Sequence, residues 1–104
     1  MSYQVNFSEN AKFDSKAITA YLAQFFTSTP RNFKNQLAKK VNLLKTTPFI
    51  CQPYEFDPFF RRMVVGDYNL FYSVDEQKKL VTIHRIFHHT RNVNKDMLDG
   101  DEAT

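Results

Sequence analysis

The sequence predicts an α+β fold: one strand, two helices, then three strands in a meander, with an αα-hairpin packed on one face of an antiparallel sheet. Three observations carry the prediction. Apolar and polar residues alternate at Tyr3–Phe7 and again in the runs after residue 59, the period of half-buried strands. Between residues 11 and 44 the apolar positions recur every three or four residues, the period of a helix. Three of the four prolines fall between residues 46 and 58 and separate the two halves. At 104 residues the chain is one domain's worth. Its eleven Phe and five Tyr supply the mass for a core despite that length.

Taken in order, Tyr3–Phe7 reads as the first strand, and Ser8 with Glu9 reads as an N-cap and first turn. The helix that follows is expected to run to Phe26, burying a stripe of Ile18, Tyr21, Leu22 and Phe25. Ser28-Thr29-Pro30 ends it and opens the next, since proline suits a first helical turn. That second helix is expected to reach Leu44 or Lys45, with Phe33, Leu37, Val41 and Leu44 facing inward. Residues 46–58 should be a loop or an irregular edge strand. Phe60–Val65, Asn69–Val74 and Leu80–His88 are the three strands, joined by a turn or bulge at Gly66-Asp67 and by the charged turn Asp75–Lys79. Residues 1–91 form the domain, and residues 92–104, which show no period, form a flexible acidic tail.

The net charge of +3 conceals a split. Residues 1–91 hold thirteen Lys and Arg against seven Asp and Glu, a net +6, and the last thirteen residues carry −3. A basic body of this kind favours polyanions or acidic protein surfaces, or is simply a soluble surface rich in Lys. No apolar stretch is long enough to span a membrane, and the first residues lack the pattern of a secretory signal. A single Cys precludes an internal disulfide and fits a reducing cytoplasm.

Candidate chemistry is concentrated late in the chain. His84 and His88 stand about 13 Å apart on a strand, too far to share a zinc ion, so no metal or cofactor site is expected. Cys51 lacks any nucleophile motif around it and reads as a packed thiol. Arg61 and Arg62 are strand neighbours and so point to opposite faces. They offer a phosphate or carboxylate contact or are ordinary surface cations. The segment from Ile83 to Val93 holds all three His and two Arg, Arg85 and Arg91. Cleavage of RNA by its 2′-hydroxyl needs a base, an acid and a cation, which His88, His89, Arg62 and Arg91 would supply. The same residues also fit a strand end whose polar groups satisfy the backbone. Tyr54, Tyr68 and Tyr72 either stack on bases or sit at the core's edge.

The pattern resembles the RelE/ParE superfamily of bacterial type II toxin–antitoxin toxins over about residues 3–93. The similarity rests on Tyr3–Ser8 followed by Ala11 and Asp14, on Ile18-x-x-Tyr21-Leu22, and on Phe33, Leu37, Val41 and Leu44-x-x-x-Pro48. It continues through Arg62–Asp75 and ends in Val81-x-Ile83-x-Arg85-Ile86-Phe87-His88 followed by Arg91. The resemblance implies a cytoplasmic growth inhibitor with no cofactor, held silent by a cognate antitoxin encoded beside it, and with no membrane role. It implies two classes of target. RelE-like members cut mRNA in the ribosome with basic and sometimes His or Tyr side chains on the concave sheet; ParE-like members lack that set and inhibit DNA gyrase by binding. The ending Arg85-x-x-His88-x-x-Arg91 is more similar to ParE, and no Lys-rich stretch precedes Arg62. On the binding reading, Arg61, Arg62, Tyr72, Arg85 and Arg91 are the contact residues. His88 and His89 lie where some His-dependent nuclease members place their catalytic His, which keeps the nuclease reading open.

Overall fold

The computed structural model describes residues 2–25 and 28–98. Strand β1 (Gln4–Phe7) leads into helices α1 (Glu9–Leu22) and α2 (Ser28–Thr46), a two-residue strand β2 (Pro53–Tyr54), the meander β3 (Asp57–Val65), β4 (Tyr68–Asp75) and β5 (Leu80–His88), and a short helix α3 (Lys95–Leu98). The five strands form one sheet in the order β1-β5-β4-β3-β2. The α+β architecture is the expected one, but the sheet is mixed, because β1 runs parallel to β5. Alternation shows that a strand is half-buried and leaves its direction open. The long helical connection after β1 is what allows a parallel pairing. The expected end of the first helix, Phe26, lies outside the described residues.

β1 pairs with β5 only as far as Ile83, and α1 takes over beyond it. The Ser8 N–H donates to the Ile83 carbonyl at 2.9 Å and the Ser8 hydroxyl to the His84 carbonyl at 2.9 Å. The same hydroxyl accepts from the Ala11 N–H at 3.0 Å, the N-cap bond that starts α1. One turn on, the buried Asp14 carboxylate accepts the Ile86 N–H at 3.0 Å, as a strand partner's carbonyl would. It also receives the Arg85 guanidinium in a fork, Nε at 2.8 Å and Nη2 at 3.0 Å. Removing either partner would strand a charge away from water, at about 3–5 kcal/mol.

The helical face of the sheet carries the main core. α2 buries Phe33, Leu37 and Leu44, with Val41 partly buried, as its spacing predicted, against Met63, Val65, Leu70, Val81, Ile83 and Ile86. α1 turns Ala11, Asp14, Ile18 and Leu22 inward, whereas Tyr21 and Phe25, expected in the buried stripe, are 54% and 57% exposed. The inward stripe is displaced because it is centred on the Asp14–Arg85 pair, which apolar spacing does not register.

The β3–β4 hairpin closes through Gly66-Asp67, between the paired residues Val65 and Tyr68. Gly66 has φ +59°, the first-position signature of a two-residue turn matched to strand twist. The opposite face of the sheet carries a second cluster, Phe60, Phe71 and Phe87, closed by Leu98. The supposed flexible tail is therefore packed as far as Leu98, which is 1% exposed. Periodicity could not reveal this, since one turn of helix and one leucine are too short to show a period. The rest of the expected acidic tail, residues 99–104, lies outside the described residues.

Candidate functional site

The register assigns each polar candidate to a face. Arg62, Phe71 and Arg85 stand side by side across β3, β4 and β5, as do Val64, Asn69 and Phe87, on the face opposite the helices. Arg61, Tyr72 and Ile83 form a row on the helical face, and so do Val65, Tyr68 and His88. Between Phe71 and Tyr72 the pairing slips by one residue, so His84 has no direct partner in β4 and shares Arg85's face.

Arg62 is exposed, with its guanidinium 5.9 Å from the Tyr54 ring centre. Arg61 points to the other side, donates to the Cys51 carbonyl and lies 4.9 Å over the Phe49 ring. Tyr72 is wholly buried and its hydroxyl donates to the Pro48 carbonyl at 2.8 Å, so it is unavailable as a contact residue. Burial, followed by the neighbouring Cys51 thiol, pushes its phenol well above the usual tyrosine range. Arg85 is likewise committed, to Asp14 and, at 3.3 Å, to the Met97 carbonyl.

His88, His89 and Arg91 gather where β5 ends. The His88 ring meets Tyr68 edge-on at 5.4 Å, its Nδ1 lies 2.8 Å from the Thr90 hydroxyl, and the His89 ring stacks on it at 4.5 Å. Arg91 lies 4.8 Å over Phe87. Tyr68 has its phenol raised by burial first, then by Tyr21 and Asp67. His88 and Arg62 are thus on opposite faces and two strands apart, about 10 Å laterally. The four residues read as a catalytic set from sequence are not brought together around one reacting phosphate.

The face that bears Arg62 is filled rather than open at its centre. Phe60, Phe71 and Phe87 are at most 3% exposed beneath Leu98, with Tyr54, Val93 and Met97 around them. Beside this cluster the Ser73 hydroxyl and His84 Nε2 are 2.8 Å apart, a polar pair that strand alternation did not single out.

A feature missed in the sequence lies on α1. Phe13 and Tyr21, two turns apart with Ala17 between them, are 70% and 54% exposed and wall a groove of about 910 Å³ against the end of β5. Ile18, Leu22 and Ile86 form part of its floor, and His88 and Arg91 its far rim. The Phe25 ring continues the aromatic ridge, edge-on to Tyr21 at 5.2 Å. The available signal was Phe13-x-x-x-Ala17-x-x-x-Tyr21, a second apolar stripe beside the buried one.

Residues 5–93 match the family described as the ParE toxin of the type II toxin–antitoxin system, parDE. The chain belongs to this family of ParE toxins. No curated protein matches this ParE-family chain in sequence. Solved structures match its fold. The toxin–antitoxin complex RelBE2 from Mycobacterium tuberculosis is similar with a TM-score of 0.63 at 22% identity, over 88% of this chain and 95% of that one. A free-state mutant of the E. coli toxin RelE gives 0.62 at 19% identity, covering 86% of each chain. A chromosomal ParDE system from P. aeruginosa gives 0.59 at 17% identity, over 83% of this chain and 95% of that one. This is a toxin of a type II toxin–antitoxin module, with an antitoxin as its partner. Among the described residues no helix is long and apolar enough to cross a membrane.

Proposed function

We propose that this ParE-family toxin arrests growth by binding an essential protein, DNA gyrase being the target its family implies, and not by cutting RNA. The observation that carries the reading is the separation of His88 and His89 from Arg62 across the sheet. General acid–base cleavage needs its base, acid and cation within hydrogen-bond reach of one phosphate. The apolar filling under Leu98 supports the same reading, because it occupies the centre of the sheet face that a RelE-like ribosome-dependent endoribonuclease would use on mRNA. Cytoplasmic action follows from either target.

Inducible expression without the antitoxin, with growth and transcript integrity followed together, tests this. Arrest with intact transcripts is expected, and a His88→Ala/His89→Ala variant should arrest growth as the parent does. Cut transcripts, with cleavage falling by ~10²–10⁴-fold in that variant, would establish the RelE-like alternative instead.

A further inference from the structure

The groove along α1 has features that folding alone does not require. Phe13, Tyr21 and Phe25 expose large aromatic surface on one side of one helix. Exposed aromatics clustered beside a concavity mark interaction sites far more often than scattered single ones do. The groove they wall runs from this ridge to the cationic end of β5. Its polar groups differ in availability. Arg85 is already satisfied by Asp14, whereas Arg91 and His88 form no ion pair among the described residues. The groove is therefore apolar along its length and positive at one end.

We propose that this groove is the seat of the antitoxin, and that the segment it takes is an amphipathic helix with a carboxylate at one end. The proposal rests on the reading of the chain as an antitoxin-controlled toxin. Apolar anchors of that helix at i, i+3 or i+4, and i+7 lie against Phe13, Ala17 and Tyr21, the helix-in-groove mode of recognition. Its Asp or Glu meets Arg91 and His88, a charge-assisted contact at the one end where cations are available. Charge argues for this occupant over a second copy of the chain, since two bodies of net +6 repel. Asp67, which also lines the groove, and its apolar wall argue against a nucleic acid strand, whose phosphates want cations along the whole track.

The test uses the full chain and the co-expressed product of the adjacent reading frame, with affinity read by titration calorimetry. Phe13→Glu and Tyr21→Glu should each weaken binding by ~30-fold or more, the scale of a central aromatic anchor. Arg91→Glu should weaken it too. Phe56→Glu, at an equally exposed ring beside β2 on the far edge of the sheet, should not. Thermal melts coincident with the parent's keep misfolding apart from lost contact, and Phe13→Ser replaces Phe13→Glu should that variant melt early. Parent-like affinity in the Phe13 and Tyr21 variants overturns the groove and leaves the toxin reading standing. Failure of the parent chain itself to bind overturns both. A concentration-dependent dimer lost in Tyr21→Glu, or single-stranded RNA binding lost in it, assigns the groove to another occupant and also overturns the proposal.

Discussion

Tyr72 illustrates how far a residue's type can mislead about its role. Tyrosine beside a basic strand pair reads as a stacking platform, but here its ring fills the core and its hydroxyl holds the Pro48 carbonyl. It pins the exit of α2 to the central strand. A group whose folded pKa is raised stabilises fully below its unfolded value and loses that contribution as pH climbs through the folded one. For Tyr72 the unfolded value is 10.0, and Tyr68 adds to the same trend. Denaturant titrations should therefore show stability level through neutral pH and falling above about pH 10. Tyr72→Phe should lose about 1–3 kcal/mol at neutral pH, from the orphaned carbonyl, and show a shallower alkaline decline. An unchanged alkaline slope would mean that the decline arises elsewhere. Arg85 shows the same confusion between a motif's residue and its function. It sits in the stretch that most resembles the family, yet its guanidinium is consumed by Asp14 and Met97.

At the scale of elements, the strand and helix segments were legible because each has a period. Leu80–His88 is the strand found, and the inward face of α2 is the face expected. What was not legible depends on partners distant in sequence. The slip at Phe71/Tyr72 puts His84 and Arg85 on one face, and the parallel pairing of β1 frees the end of β5 for Asp14. No local pattern encodes either. The expected catalytic set came apart for this reason: residue spacing shows which side chains alternate, not which face each strand turns to the core. The least legible element is α3, whose single anchor is Leu98. Leu98→Ala should cost about 2–5 kcal/mol, the range for a buried leucine in a packed site, read as a lowered denaturation midpoint. Hydrogen exchange at the Met97 amide, which donates to Asn94, should accelerate in that variant. A midpoint equal to the parent's would mean that Phe60, Phe71 and Phe87 find another cover.

At the scale of the whole molecule, charge and apolar surface divide the work of recognition. The net +6 of residues 1–91 acts at long range, and the aromatic ridge on α1 acts only on contact. Long-range attraction speeds encounter, while buried apolar anchors slow escape. The two contributions separate by salt, since at 0.1 M the screening length has fallen to about 10 Å and steering weakens from there. Binding to an acidic antitoxin, followed by stopped-flow mixing, should thus lose on-rate by ~10-fold or more between ~0.05 M and ~0.5 M salt, with the off-rate little changed. Tyr21→Glu should reverse the pattern, with a faster off-rate and an on-rate that remains salt-dependent. An on-rate indifferent to salt would mean that the basic body takes no part in capture. The positive charge would then serve solubility, and specificity would rest on apolar fit alone.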